Sequence, residues 1–264
     1  MKGPQYMEDS HIRLITVRKR RAPPRTKSTQ HTHLRSGPLG TLLKKNLQDK
    51  WWRDFVVSRM DCVALDTSII VNPKVWHASG HVENFTDPLV ECKICNKRVR
   101  ADHLLEQMCE NLPSDTFESL DSISRELKRV EPKLSECKKR KCDFSSPRNF
   151  NLLFQSQVGC TEDTSQNVFL RPETAQGVYV NFTQVMNTMR KTSLPVGIGQ
   201  IGKAFRNEIT LGNFIFRTRE FEQMELQYFC EQSSSMSVYD YWVEMCETWL
   251  RDTIGLRSDS VRET

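Results

Sequence analysis

The most regular hydrophobic pattern in the chain lies between Leu39 and Met60, where apolar residues recur every three or four positions. A repeat of this period puts them on one face of an α-helix, with lysines and aspartates opposite. The Gly37-Pro38 pair that precedes the pattern suits a helix start. The sequence therefore predicts a long amphipathic helix. Its apolar positions are Leu39, Leu42, Leu43, Leu47, Trp51, Trp52, Phe55, Val56 and Met60.

Further along, the pattern alternates between strand-like and helix-like segments. The β-rich run 62–71 predicts a strand, and so do 150–158 and 168–171. Helical periodicity predicts one helix over 174–191 and another that begins near Ser237 and ends at Gly255. Antiparallel strand pairs with helices to one side define an α+β fold, which is the predicted class.

Residues 199–229 contain two strand-like runs joined by an arginine-rich loop. Strand side chains alternate between faces, so Ala204, Arg206 and Glu208 share a face of the first run. On the second run the residues of one face are Arg219, Phe221, Gln223 and Glu225. Pairing of the two runs predicts that Arg206, Glu208, Arg219, Phe221 and Glu225 meet.

These residue types suit nucleotide binding. A guanidinium matches phosphate oxygens, an aromatic ring stacks on a base, and a carboxylate accepts hydrogen bonds from an amine. The alternative is a solvated hairpin in which Arg and Glu form cross-strand ion pairs. The spacing by itself leaves both interpretations open.

The net charge of +5 is unevenly distributed. Residues 1–36 contain nine basic and two acidic residues, which gives this arm +7 and the remaining chain −2. The run RKRRAPPRTK at 18–27 lacks apolar periodicity, so 1–36 is predicted to be a disordered arm. Such an arm contacts nucleic acid or an import receptor, or is simply solvated.

Several motifs resemble the homodimeric, bacterial-type glycyl-tRNA synthetases of class II. FRNEI at 205–209 with FRTREFEQME at 216–225 is similar to motif 2 of that family. Residues 36–56 are similar to motif 1, although His33-Leu34-Arg35-Ser36 replaces the Tyr-Asp-Tyr that the family has there. Residues 75–104 carry SGH and RAD segments, and 168–182 carry RPETAQG. The resemblance covers about residues 37–262.

The resemblance implies a class II catalytic fold, an antiparallel sheet flanked by helices, that stops before motif 3 and the anticodon-binding domain. It implies a motif 1 region with the start of the catalytic domain at 37–102. A small insertion is expected at 103–147, and the catalytic domain with motif 2 at 148–264.

The implied activity is ATP-dependent activation of glycine and its transfer to tRNA(Gly), with Mg²⁺ beside the phosphates. Arg206 is the expected catalytic clamp on the α-phosphate, Glu208 the contact to the adenine amino group, and Phe221 the stacking ring. The full expected ATP set is Arg206, Asn207, Glu208, Phe216, Arg217, Thr218, Arg219, Glu220 and Phe221.

Glycine is expected to be held through its ammonium group, because it has no side chain to recognise. The expected glycine set is Arg100, Glu173, Phe221, Glu222, Gln223, Met224 and Glu225. Ser79 lines the same pocket in this interpretation, whereas His81 is expected to form structural hydrogen bonds. Lys203 is not a P-loop lysine, because the glycine spacing of that motif is missing.

Nine cysteines without an apolar signal segment predict reduced thiols or metal ligands. Cys92 and Cys95 form a C-x-x-C pair, and Cys137 and Cys142 form a wider C-x4-C pair. Four thiolates in this arrangement suit a Zn²⁺ site. The wide second pair differs from a tight knuckle, so an ordinary thiol core is the alternative.

Three functional hypotheses follow. The first is a glycine–tRNA ligase fragment that dimerises through the motif 1 helix, in the cytoplasm or in an organelle, with no membrane segment. The second is an inactive truncated paralogue that binds nucleotide or RNA. The third is a zinc-stapled basic RNA-binding module, which leaves RPETAQG and FRNEI unexplained.

Overall fold

A computed structural model describes residues 11–12, 36–109, 112, 116–132, 134, 137, 142–160, 166–190, 193–212 and 216–261. The predicted disordered arm 1–36 therefore lies outside the described residues, except for the backbone of 11–12 and for Ser36. The chain divides into two compact units. The first unit comprises residues 1–69, 173–204 and 221–264, and the second comprises 70–172 and 205–220.

Seven α-helices and ten β-strands lie within the described residues. The helices are α1 Pro38–Trp52, α2 Pro73–Ala78, α3 His81–Asn84, α4 Ala101–Met108, α5 Leu120–Val130, α6 Ala175–Thr188 and α7 Ser235–Thr248. The strands are β1 His11–Ile12, β2 Cys62–Ala64, β3 Ile70–Val71, β4 Thr86–Glu91, β5 Arg98–Arg100, β6 Arg148–Asn151, β7 Phe154–Val158, β8 Gln166–Leu170, β9 Val196–Phe205 and β10 Glu220–Phe229. Short π-helical and 3₁₀ turns extend some of these elements.

The first unit is built on a four-stranded sheet with the strand order β1-β10-β9-β2. β1 pairs antiparallel with β10, so His11–Ile12, which the sequence placed in a disordered arm, belong to the sheet. β2 pairs parallel with β9, from Cys62↔Gly197 to Ala64↔Gly199. The sheet is therefore mixed. Helices supply its cover, in agreement with the predicted α+β class.

The predicted amphipathic helix forms as α1 and continues as a π-helical turn, Arg53–Val57. Only its C-terminal part is buried: Trp51, Phe55 and Val56 pack with Leu226 and Trp242. Its N-terminal leucines stay exposed within this chain. Leu39, Leu42 and Leu43 are 83%, 61% and 62% exposed. Helical periodicity predicted a common apolar face but could not reveal what covers it.

Close packing between the π-helical turn and β9 depends on a glycine. A Cβ atom added at Gly199 would lie 2.4 Å from Cγ2 of Val56. That separation is far below van der Waals contact, so β9 approaches the turn only because Gly199 lacks a side chain.

A polar network lies beside this core. The Arg59 guanidinium contacts Asp61 at 2.7 and 2.9 Å, and the Tyr228 hydroxyl donates to Asp61 at 2.7 Å. Burial alone would raise the pKa of Asp61, but the hydrogen bonds from Arg59 and Tyr228 outweigh it and lower the pKa to about 2. Arg59 also lies over the Trp242 ring at 4.5 Å.

The second unit contains two three-stranded sheets, β3-β8-β7 and β5-β4-β6. Both are antiparallel throughout. One core packs Val90 against α4 and α5, and another packs Trp76 against Leu153 and Phe169. The predicted insertion 103–147 falls within this unit, and its status as a separate domain stays a prediction.

Two predicted strands were wrong in extent. Residues 62–71 form β2 and β3 rather than one strand, and the two pieces belong to different sheets. Residues 150–158 break at Leu152-Leu153, where Asn151 Oδ1 accepts from the Leu153 N–H at 2.8 Å. The break is also stabilised by a tertiary hydrogen bond from the Leu152 N–H to the Phe85 carbonyl at 3.0 Å, which residue propensity does not reveal.

The C-terminal helix was predicted well. α7 continues as a π-helical turn, Trp249–Thr253, and the chain leaves it at Gly255, which has a φ of +76°. The Leu256 N–H closes the end by donating to the Leu250 carbonyl at 3.0 Å. A left-handed residue at this position favours glycine. Within the described residues, no helix has the length and apolarity needed to cross a bilayer.

Candidate functional site

Arg206 follows the end of β9 and is held at three points within the second unit. Its backbone N–H donates to the Arg219 carbonyl at 2.9 Å. Its side-chain Nε donates to the Pro172 carbonyl at 3.1 Å, and its guanidinium lies 5.4 Å from the centre of the Phe85 ring. These contacts fix the direction of the side chain, and a guanidinium is a planar fork whose geometry matches phosphate oxygens.

Glu208 lies two residues further along the same loop. Its Oε2 is 3.9 Å from Arg217 Nε, and its backbone carbonyl accepts from Arg219 Nη2 at 3.2 Å. Among the described residues, Oε2 is buried and has no hydrogen-bond donor. A buried carboxylate oxygen without a donor is costly unless a ligand supplies one. This atom therefore suits the amine that the sequence predicted for it.

The loop after Glu208 closes through an antiparallel bridge between Gly212 and Arg217. Where the chain leaves this loop and enters β10, Thr218 Oγ1 donates to the Glu220 carbonyl at 2.7 Å. Phe216 and Arg219 are exposed, and Arg217 is partly buried. The Asn207 backbone N–H donates to the Leu152 carbonyl at 2.7 Å. The second unit thus brings together most of the expected ATP set.

Arg100 is held by two carboxylates that the sequence analysis missed. Its Nε and Nη2 donate to Asp102 at 3.1 and 2.6 Å, and its Nη1 forms an ion pair with Asp87 Oδ2 at 2.8 Å. Burial would raise the pKa of Asp102, but hydrogen bonds from Arg100 and from the His103 N–H outweigh it, and this pKa lies below its ordinary value.

Asp87 behaves differently, although it contacts the same guanidinium. Burial raises its pKa above the ordinary value, and the nearby carboxylates of Asp102 and Glu208 add to the rise, which Arg100 and Arg217 oppose. The close Asp87–Arg100 contact is an ion pair that lacks hydrogen-bond alignment. A signal for Asp102 was available in the sequence, two positions after Arg100 at the start of a helix.

In the first unit, the expected glycine set separates onto two faces of β10. Gln223 Nε2 donates to Glu225 Oε1 at 3.0 Å, so these side chains share a face. Glu225 also accepts from the Thr174 hydroxyl, and Thr174 directly precedes α6. Glu173, beside Thr174, is buried.

Glu222 and Met224 lie on the other face of β10. Glu222 forms an ion pair with Lys44 of α1, and Met224 packs against the core that contains Trp51. Strand alternation explains the separation, because the expected set took consecutive residues. Phe221 and Glu225 belong to the first unit, whereas Arg206, Glu208 and Arg219 belong to the second.

Ser79 and His81 hydrogen-bond to each other, with 2.9 Å between Oγ and Nδ1, and His81 stacks edge-on against Trp76. These contacts agree with the structural role that was expected for His81. The four cysteines of the expected zinc set also lie in the second unit. The Sγ atoms of Cys92, Cys137 and Cys142 lie within 4.8 Å of one another.

Comparisons with known proteins show what this chain is similar to. Residues 154–264 match the model of the tRNA synthetase class II core domain (G, H, P, S and T). Glycine–tRNA ligase of Ureaplasma urealyticum serovar 10 is 48% identical over 227 residues, which is 86% of this chain and 47% of that relative. The enzymes of Geobacillus kaustophilus and Malacoplasma penetrans are 47% and 46% identical over 229 and 231 residues. Each alignment covers 86% of this chain, and 49% and 48% of those relatives.

The chain is homologous to glycine–tRNA ligases over 86% of its length. Its α+β architecture is that of the class II tRNA synthetase core. It spans about half the length of the glycine–tRNA ligases that it matches. The third hypothesis, an RNA-binding module, does not account for this similarity.

Proposed function

We propose that this chain contributes the ATP- and glycine-binding residues of a glycine–tRNA ligase. The enzyme activates glycine with ATP and transfers it to tRNA(Gly). The observation that supports this most strongly is the Arg206–Glu208 loop in a chain homologous to glycine–tRNA ligases. A restrained arginine lies there two residues from a buried carboxylate oxygen that lacks a donor among the described residues.

In the first step, a carboxylate oxygen of glycine attacks the α-phosphorus of ATP, and pyrophosphate leaves with the electron pair of the broken P–O bond. Little covalent chemistry falls to the protein, so alignment and charge neutralisation dominate. Arg206 contacts the α-phosphate and gains interaction energy as negative charge develops there. Arg217 and Arg219 hold the outer phosphates.

Adenine is selected through its amino group, which donates to Glu208 Oε2, and Phe221 stacks on the ring. Mg²⁺ enters with ATP, bound mainly by phosphate oxygens and water. The one group of three metal ligands in the described part of the chain consists of cysteines, which do not suit Mg²⁺. The arginines orient the phosphates that bind the ion.

Glycine is recognised through its ammonium group by Glu225 and Glu173, with Gln223 beside them. Gln223 and Thr174 both donate to Glu225, which fixes the orientation of its carboxylate. Arg100, oriented by Asp87 and Asp102, is the proposed contact on the substrate side. Glu222 and Met224 are left out because they contact α1 and the core.

In the second step, the terminal ribose hydroxyl of tRNA(Gly) attacks the carbonyl carbon of the adenylate, and AMP leaves. We further propose that the exposed leucines of α1 form a homodimer contact. Three leucines of one helix, each more than half exposed, are an unusual apolar surface for a monomer. Light scattering should give twice the chain mass, and Leu42→Glu should shift it to the monomer.

The activation step is tested by glycine-dependent exchange of labelled pyrophosphate into ATP. The proposal expects exchange with glycine and none with alanine, because a cramped site rejects an added methyl group. ATP binding without exchange would instead support the second hypothesis, an inactive paralogue that binds nucleotide.

A further inference from the structure

Three cysteines of the second unit converge on one buried point, and a fourth lies against them. Cys92, Cys137 and Cys142 are 0%, 4% and 8% exposed, and their Sγ atoms lie within 4.8 Å of one another. Cys95 is partly buried and packs against this cluster. No disulfide joins them. They come from well-separated parts of the sequence, so their convergence is a property of the fold.

The spacing of the sulfur atoms suits a tetrahedral metal ion. With a Zn–S bond of about 2.3 Å, the sulfurs of a Zn(Cys)₄ site are roughly 3.8 Å apart. The three clustered sulfurs lie within about one ångström of that spacing, and side-chain rotation of the adjacent Cys95 would bring the fourth ligand to them. A disulfide is a poorer fit, because it would join two of the four sulfurs and leave two buried thiols beside it.

The backbone around the cluster forms a tight turn and supplies an amide donor to a sulfur atom. Asn96 adopts a left-handed φ of 56°, and its N–H donates to the Cys92 carbonyl at 2.7 Å, which closes the turn. The Leu134 N–H likewise donates to Cys142 Sγ at 3.3 Å. Amide donors aimed at sulfur favour the anionic form that binds metals.

The wide C-x4-C spacing is explained by the position of Cys142. It lies just before Phe144, which bridges to Cys92 in an antiparallel β-bridge. Cys142 therefore reaches the cluster from an extended segment and needs no second knuckle. In the sequence, Lys138, Lys139, Arg140 and Lys141 separate the two cysteines.

We propose that Cys92, Cys95, Cys137 and Cys142 bind one structural Zn²⁺. The ion joins the β4–β5 turn to the segment that leads into β6. It thereby holds the register of β4 and β5, and the same pair of strands positions Asp87 and Arg100. Four released protons balance the binding of four thiols as thiolates. The proposal does not depend on the aminoacylation chemistry, because its readouts are metal content and folding.

The test uses the full chain purified without chelator. Elemental analysis should find one zinc per chain, and Cys137→Ser should lower this stoichiometry at least tenfold, whereas Cys160→Ser, at an exposed cysteine, should leave it unchanged. Cobalt(II) exchanged into the native chain should show the strong visible absorption of a tetrahedral thiolate site. The cobalt spectrum is measured on the native chain, so it does not depend on whether a cysteine variant folds.

A chelator should lower the melting temperature of the native chain and expose four additional thiols to a thiol reagent. A natively folded chain that contains no zinc, takes up no cobalt and melts at the same temperature with and without chelator would overturn the proposal. Full zinc content in a Cys92→Ser/Cys137→Ser double variant would overturn it as well.

Discussion

Glu208 Oε2 lies 3.9 Å from Arg217 Nε and, among the described residues, receives no hydrogen bond. The pair is close enough for attraction but leaves the inner carboxylate oxygen to a ligand. We expect Glu208→Ala to raise the KM for ATP by about tenfold, because a hydrogen bond to a charged group contributes about 1.5–3 kcal/mol. Discrimination against GTP in the exchange assay should fall as well.

Glu106→Gln, on the exposed face of α4, is the matched control for that change. It should leave the KM for ATP and the preference over GTP unaltered. If Glu208→Ala kept the preference for ATP over GTP, the proposed contact between Glu208 and adenine would be refuted.

Substitutions of Arg206 test the role proposed for the loop that follows β9. Arg206→Lys keeps the positive charge but loses the planar fork, the hydrogen bond to the Pro172 carbonyl and the contact with Phe85. We expect the exchange rate to fall by about 10²–10³ for Arg206→Ala and by a smaller factor for Arg206→Lys. Steady-state exchange measurements check both.

Arg125→Ala, at an exposed position of α5, is the control for loss of a surface charge. It should retain full exchange. If Arg206→Ala retained exchange with an unchanged KM for ATP, the α-phosphate role would be refuted.

Glu225 and Glu222 lie on opposite faces of β10, so we expect their substitutions to have different effects. Glu225→Gln should raise the KM for glycine by about tenfold or more, because Glu225 shares a face with Gln223 and accepts from Thr174. Glu222→Gln should change this KM far less, since Glu222 pairs with Lys44. Glycine titrations of the exchange rate separate them, and an equal effect of both changes would contradict the assignment of faces.

The close approach of Gly199 and Val56 makes a prediction about stability. Gly199→Ala places a Cβ atom 2.4 Å from Val56 Cγ2, and overpacking of this kind costs about 1–3 kcal/mol. Urea denaturation should show the loss, and the additional change Val56→Ala should relieve the clash, although it opens a cavity of its own. Gly40→Ala, inside α1 with room for a Cβ, should be neutral or stabilising.

The lowered pKa of Asp61 predicts how the free energy of unfolding depends on pH. Its pKa in the folded protein is about 2, below the ordinary value of 3.8, because Arg59 and Tyr228 donate to its charged form. A lowered pKa stabilises the fold at pH values above the unfolded pKa, and this contribution is lost as the pH falls from about 4 toward 2. The difference in unfolding free energy between the native chain and Asp61→Asn should therefore shrink over that window.

Asp240→Asn, at an exposed position of α7, provides the comparison. The difference in unfolding free energy between this variant and the native chain should stay small between pH 6 and pH 3. A pH-independent penalty for Asp61→Asn would show that Asp61 acts through packing rather than charge.

Periodicity predicted the main elements of the fold but not their pairing. The helices at α1, α6 and α7 and the strands β9 and β10 follow from local patterns. The break between β2 and β3 and the parallel pairing of β2 with β9 depend on contacts distant in sequence. Residue propensity carries no information on those contacts.

In the candidate site, too, the sequence did not predict contacts between residues distant in sequence. Motif 2 identified Arg206 and Glu208, but only the fold reveals Phe85 beneath Arg206 and Asp87 beside Arg100. Strand alternation, applied residue by residue, would have excluded Glu222 and Met224 from the glycine set. Thr174 was within reach too, because it adjoins Glu173 in the RPETAQG segment.

Glycine-dependent exchange of labelled pyrophosphate into ATP tests the central claim most directly. The account predicts exchange by the purified chain that requires glycine, is absent with alanine and is lost in Arg206→Ala. A folded chain that binds ATP but shows no glycine-dependent exchange would contradict it.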